Sequence, residues 1–312
     1  MDNTRGAILM VIAMLGFAVV DSLIKILANS LPSGQILMML GIGGAIVFTA
    51  WAVFAGQKPM SLSMLRGASG IRATCEGIAA LGFVSALALV PISLVTTIIQ
   101  ASPLLITLGA AVFFGETVGW RRWMAIMIGL VGVLIVLRPF GSTFESVALL
   151  AVIGVIAMSA RDLITRKITQ SISTIQLSVV GSVATVPAGA VGLVLAGAYP
   201  VMPSPAASGI CVLAVIIVVP SLYCIIAAMR IGDISFVTPF RYTRIVFGLL
   251  AGLVIFGETL DGHTLFGAAI IVASGLYTLL REASLRRSQQ QIKHSIKARL
   301  LSPRFTRNQS KE

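Results

Sequence analysis

Residues 89–117 read LVPISLVTTIIQASPLLITLGAAVFFGET, and residues 234–259 read ISFVTPFRYTRIVFGLLAGLVIFGET. Each run has about the length a helix needs to cross a bilayer, roughly 20 apolar residues. Each closes on the same four residues: Phe114-Gly115-Glu116-Thr117 recurs as Phe256-Gly257-Glu258-Thr259, 142 positions later. At that offset, without a gap, Ile92-Ser93-Leu94-Val95-Thr96 meets Ile234-Ser235-Phe236-Val237-Thr238. Nearer the start of each half, Asp21, Lys25 and Gln35 meet Asp162, Arg166 and Gln176 at an offset of 141. The chain therefore reads as a duplication, and parsing it by apolar runs puts five spans in each copy. Five is odd, so the second copy enters the membrane from the opposite face. Inverted repeats of this kind place a shared cavity near the midplane and let two mirror-related conformations exchange.

The parse gives Gly6–Ala28, Gly34–Phe54, Gly70–Val90, Ser93–Phe114 and Trp123–Leu137 with its flanks. The second half supplies Val147–Ile164, Thr174–Ala198, Gly209–Met229, Ile234–Phe256 and Thr264–Leu280. The expected fold class is all-α, a polytopic membrane protein of ten transmembrane helices in two inverted five-helix repeats. The repeats are residues 1–141 and 142–281, and a basic tail occupies 282–312. Composition agrees. Of 312 residues, 57% are hydrophobic and 11% charged, with a mean hydropathy of +1.00. Soluble domains carry about 25% charged residues, so this chain has too few charges to coat a water-facing surface. A barrel would need alternating polarity along each strand, whereas these apolar runs are unbroken. The first run is interrupted by Asp21 and Lys25 and lacks a small-residue cleavage site, so it reads as a mature helix rather than a cleaved signal.

The net charge of +12 does not mark a nucleic-acid partner. Residues 281–312 hold nine Lys and Arg against Glu282 and Glu312, and the rest of the excess is spread over loops and helix ends. A basic tail beside a last helix suits anionic lipid, making the bilayer the expected partner. With the N-terminus in the cytoplasm, 19 Lys and Arg fall on the inner side and two, Lys25 and Arg138, on the outer side; Arg241 and Arg244 lie within a span. That asymmetry places both termini in the cytoplasm. Cys75, Cys211 and Cys224 lie in apolar runs without metal-like spacing, and His263 and His294 stand apart. No metal, no cofactor and no enzymatic centre is expected.

The repeated Gly-Glu-Thr, Leu89-Val90-Pro91-Ile92-Ser93, Gln100-Ala101-Ser102-Pro103 and Leu137-Arg138-Pro139 together resemble the EamA-type branch of the drug/metabolite transporter superfamily. The resemblance spans roughly residues 6 to 281. It implies a central cavity lined by the third, fourth, eighth and ninth helices, and secondary transport of small organic metabolites by alternating access across a bacterial inner membrane. Arg5-Gly6-Ala7 through Asp21 to Leu31-Pro32-Ser33-Gly34-Gln35-Ile36 is similar to the bacterial riboflavin transporters of that superfamily, which implies riboflavin uptake. The alternative is efflux of amino acids or drugs.

Ionised groups inside a membrane cost at least ~2.5 kcal/mol at the helix centre, so each needs a reason. Arg241 and Arg244 stand about 10 and 15 Å along the ninth helix at 1.5 Å per residue, and a spacing of three puts them on one face. With Tyr242 they form a candidate cationic, stacking-capable wall; Arg241 as a snorkelling interface residue weighs equally. In the fourth helix Thr96, Gln100 and Ser102 surround Pro103, which frees a carbonyl and favours a kink. These polar groups suit either ligand bonding or helix packing. Arg244 is expected to hold substrate because each intramembrane carboxylate has a nearer basic neighbour in sequence: Asp21 has Lys25, Glu76 has Arg72 and Asp162 has Arg166. Glu116 and Glu258 are expected to cap the helices that follow them.

Overall fold

A computed structural model describes residues 2–115, 119–139, 146–165, 168, 172–231 and 234–300, without the side chains of 62–63, 226, 229–230, 234–235, 238 and 282–300. The described residues form helices α1 (Asn3–Leu27), α2 (Ser33–Phe54), α3 (Gly67–Leu89), α4 (Ile92–Ile99), α5 (Ser102–Phe114) and α6 (Trp120–Leu137). There follow α7 (Leu149–Thr165), α8 (Thr174–Leu195), α9 (Pro205–Ile231), α10 (Ile234–Val237), α11 (Thr243–Val254) and α12 (Gly262–Leu300). Among these residues nine segments are long and apolar enough to cross a membrane, with α4 and α5 acting as one. The ninth expected span, which is not among those nine, is divided among α10, a 3-10 turn over Thr238–Tyr242 and α11. The protein is an all-helical, multi-pass membrane protein.

Local chemistry sets the ends of these helices. Asp2 accepts the Arg5 N–H at 3.1 Å and starts α1. Ser173 and Gln176 form a reciprocal capping box on α8, with bonds of 3.2 and 2.8 Å. The glycines of both Gly-Glu-Thr corners, Gly115 and Gly257, take φ of +65° and +62°, a left-handed conformation that a side chain resists. Pro103, in the first turn of α5, has no N–H to offer the carbonyl of Ile99. The chain turns there through Gln100 and Ala101, whose N–H groups reach back only three residues, to Thr97 and Ile98. The expected kink is thus a full break. Pro239 opens the 3-10 turn that divides the other span.

The helices pack in antiparallel pairs: α1 along α9, α2 along α8, α3 along α7, α6 along α12, with α4 crossing α11. Small residues allow close approach, the usual device where lipid offers no hydrophobic drive to associate. A Cβ added to Gly267 of α12 would lie 2.8 Å from the Gly132 carbonyl oxygen of α6, and one on Gly132 3.1 Å from that of Gly267. On α1 the apolar residues Ile8, Ile12, Leu15 and Val19 form one exposed stripe, while Met10, Met14, Asp21 and Ile24 are buried. The exposed face is apolar and the buried face carries the charge, as a bilayer solvent requires. The expected tenth span ended at Leu280; the backbone of α12 instead stays helical to Leu300.

Candidate functional site

The two breaks lie against each other. Gln100, at the turn between α4 and α5, donates its amide N–H to the Arg241 carbonyl in the 3-10 turn at 3.1 Å. Facing breaks leave backbone groups outside helical ladders, and such backbone is tolerated at membrane depth only where it is buried or lines a cavity. Arg241 itself is half-buried. No hydrogen bond or ion pair engages its guanidinium among the described residues, and the charges of Asp162, Arg161 and Arg244 act on it.

The other expected site residues are occupied. Thr96 is fully buried, returns its hydroxyl to the Ile92 carbonyl at 2.8 Å and packs on Gly248 of α11, where an added Cβ would sit 2.7 Å from its own. Ser102 meets Ser159 of α7, oxygen to oxygen, at 3.3 Å. Tyr242 turns its ring onto Gly275 of α12, with its hydroxyl buried and unbonded. It does not flank Arg244.

Arg244 corrects the sequence expectation most sharply. Its Nε and Nη2 donate to both oxygens of Asp21 at 2.8–3.1 Å, and the Asp21 side chain is 3% exposed. Phe17 of α1 and Phe83 of α3 cover the guanidinium at 5.3 and 5.4 Å from ring centre. Planar stacking together with a forked carboxylate is the arrangement only arginine satisfies. Sequence proximity misled here because Asp21 and Lys25 lie on one helix but point to different neighbours. Lys25 donates to the Val90 carbonyl at 2.7 Å and lies 3.7 Å from Glu258.

Glu258 is corrected too. It caps not the helix after it but α4, accepting the N–H groups of Ile92 and Ser93 at 2.7 and 3.1 Å. A carboxylate there complements the helix dipole. Glu116 lies outside the described residues. So does Arg166, and with it the expected Asp162–Arg166 pair; Asp162 meets Arg161 at 2.8 Å. Arg161 also donates to Glu76 at 2.7 Å, and the expected Arg72–Glu76 pair is present at 3.5 Å. Arg72 adds bonds to Thr165 and to the Leu177 carbonyl, so this network joins α3, α7 and α8. Phe17, Phe83 and Arg161 escaped the sequence reading. Phe17 sits one helical turn before Asp21 and was findable; the others meet their partners only through tertiary packing.

Two glutamines latch the starts of α2 and α8 to neighbouring loops. Gln35, at the start of α2, holds the Val201 backbone through both its amide groups, at 2.6 and 2.8 Å. Gln176, at the start of α8, donates to the Lys58 carbonyl at 2.8 Å. Each glutamine grips the loop that follows the other's helix.

An all-α bundle with an apolar exterior, paired internal charges and two broken spans that meet through Gln100 and Arg241 is an architecture that membrane carriers share. The comparisons give the family. A model of the EamA-like transporter family matches residues 4–138. A riboflavin transporter of Rhizobium johnstonii is 33% identical over 66% of this chain and 68% of its own. An S-adenosylmethionine uptake transporter of Rickettsia bellii is 26% identical over 84% and 89%. A solved crystal structure shares the fold, with a TM-score of 0.60 over 89% of this chain and 97% of that one, at 20% identity. The chain belongs to the EamA-like transporter family.

Proposed function

We propose that this protein is a secondary carrier that moves a small, planar, polar metabolite across a bacterial inner membrane by alternating access, with riboflavin uptake the leading assignment. Its halves, 1–141 and 142–281, act as inverted repeats around a site where the broken spans cross, and both termini face the cytoplasm. The observation that carries this reading is the Gln100–Arg241 bond between the two breaks. It puts irregular, polar backbone of both halves at one point of the membrane, where a carrier's site belongs.

Packing supports the repeat. Exchanging the halves turns the α1–α9 pair into α7–α3 and the α1–α11 pair into α7–α5, and returns α2–α8 and α6–α12 to themselves. The same exchange swaps the Gln35 and Gln176 latches. Riboflavin is favoured by the Rhizobium relative and by the N-terminal stretch quoted above. S-adenosylmethionine is the second reading, because the Rickettsia relative aligns over more of the chain. Expression in a riboflavin-auxotrophic, uptake-deficient bacterium should restore growth on low riboflavin and uptake of the labelled vitamin. Absence of both in cells with abundant protein, with labelled S-adenosylmethionine accumulating instead, would transfer the assignment.

A further inference from the structure

We propose that the groove between α6 and α12 is a phospholipid site, which takes an acyl chain along its length and an anionic headgroup at its mouth. The groove has a volume of about 490 Å³ and lies on the outer face of the bundle, where Met124, Ile128 and Ala273 in its walls are exposed. The inference is independent of the cargo and uses the proposed topology only to choose the leaflet.

Packing explains where the groove lies. Gly129 and Gly132 draw α6 onto α12: a Cβ on Gly129 would sit 2.5 Å from the Ser274 hydroxyl oxygen, and one on Gly132 3.0 Å from the Ile271 side chain. Toward the start of α6 the residues facing α12 change to Ile128, Met124 and Trp120, and the groove runs between them and α12. Its walls suit hydrocarbon. Away from the mouth the lining is apolar except for Ser274, whose hydroxyl is returned to the Ile271 carbonyl at 3.0 Å. A water there would lack the two to four polar partners it needs, whereas a lipid chain needs none.

The mouth suits a phosphate. Trp120 is 71% exposed and Tyr277 44%, and these two residue types gather at headgroup depth. Arg121 is exposed beside them, its guanidinium 5.6 Å from the centre of the Trp120 ring. Arg281 follows Tyr277 by four residues and so continues the same face of α12. Guanidinium groups on both walls complement an anionic headgroup, whose phosphate accepts forked hydrogen bonds. A zwitterionic headgroup brings an ammonium that they repel. Under the proposed topology this mouth meets the cytoplasmic leaflet, where anionic lipid makes the surface negative. The basic tail draws such lipids to that surface in general; the groove selects one by holding its chain.

The test reads position as well as preference. Full-length protein carrying Trp51→Phe and Trp123→Phe keeps Trp120 as its one tryptophan. It is reconstituted in phosphatidylcholine bilayers that contain, at equal mole fraction, phosphatidylglycerol or phosphatidylcholine with brominated chains, which quench tryptophan on contact. Trp120 should favour the phosphatidylglycerol about tenfold, since each basic residue near a membrane surface contributes up to roughly fivefold. Adding Arg121→Gln and Arg281→Gln, with the tail left basic, should bring that preference below about twofold. Ala273→Phe, which fills the groove from an exposed position, should weaken quenching by both lipids. Equal quenching by the two lipids at the start, or a preference that survives both arginine substitutions, overturns the proposal. Unchanged quenching in Ala273→Phe overturns it too, because the chain would then lie outside the groove.

Discussion

Under the proposed repeat, two seams correspond to each other and are built from different chemistry. Between α1 and α11, Arg244 grips Asp21 under two phenylalanine rings. Between α7 and α5, the position 142 residues before Arg244 is Ser102, which meets the Ser159 hydroxyl through its own hydroxyl and its carbonyl. Asp162, the counterpart of Asp21, has turned to Arg161. One seam is a desolvated ion pair and the other is neutral. Under the proposed duplication the halves have diverged in what holds them, and a carrier whose two seams differ in strength has no reason to favour its two orientations equally.

The largest effect should come from breaking the ionic seam on one side only. Asp21→Ala leaves Arg244 buried without a counter-charge and should destabilise the protein by about 3–5 kcal/mol, the usual cost of orphaning one member of a buried pair. Thermal unfolding in detergent and membrane abundance both report it. Replacing both members, Asp21→Leu with Arg244→Leu, should recover most of the loss, giving a coupling energy that a double-mutant cycle measures directly. Additive losses would mean that the pair does not hold the seam. Arg244→Lys should recover little of what Arg244→Leu loses, because lysine keeps the charge but neither the fork nor the stacking.

A smaller effect is expected at the α4 cap. Glu258→Gln removes a charged acceptor from two backbone N–H groups and from the neighbourhood of Lys25, a loss of about 1.5–3 kcal/mol. Smallest is the neutral seam: Ser159→Ala should cost no more than about 1.5 kcal/mol. If Ser159→Ala proved as damaging as Asp21→Ala, the contrast between the seams would collapse. Reporter fusions add a test without an energetic scale. A cytoplasmic signal at Gln57 and a periplasmic one at Tyr199 are expected from the lysine and arginine distribution, and the reverse would invert the assignment of every loop.

Much of the fold was legible because it depends on patterns along the chain. Span lengths, the Gly-Glu-Thr corners and the break near Pro103 are local properties, and the described helices follow them closely. The division of the ninth span was harder to see, since Pro239 lies in the first turns of an apolar run where a proline is ordinarily tolerated. The surroundings of the expected site residues were legible only in part. Arg241 and Gln100 come together as a polar pair, whereas Thr96, Ser102 and Tyr242 turned out to pack helices. Pairing charges by sequence distance failed at Asp21 and Lys25. An i,i+4 neighbour on a helix is always near, but a bundle offers closer partners on other helices, and Arg244 finds Asp21 223 positions away.

The central claim, a carrier that exposes one site alternately to each side, is tested most directly by counterflow. The purified protein is placed in liposomes preloaded with unlabelled riboflavin, and labelled riboflavin is added outside without nucleotide. The account predicts that label enters and transiently accumulates above its external concentration, faster than in unloaded liposomes. Equal entry with and without preloading, or entry only when ATP is supplied, would contradict it.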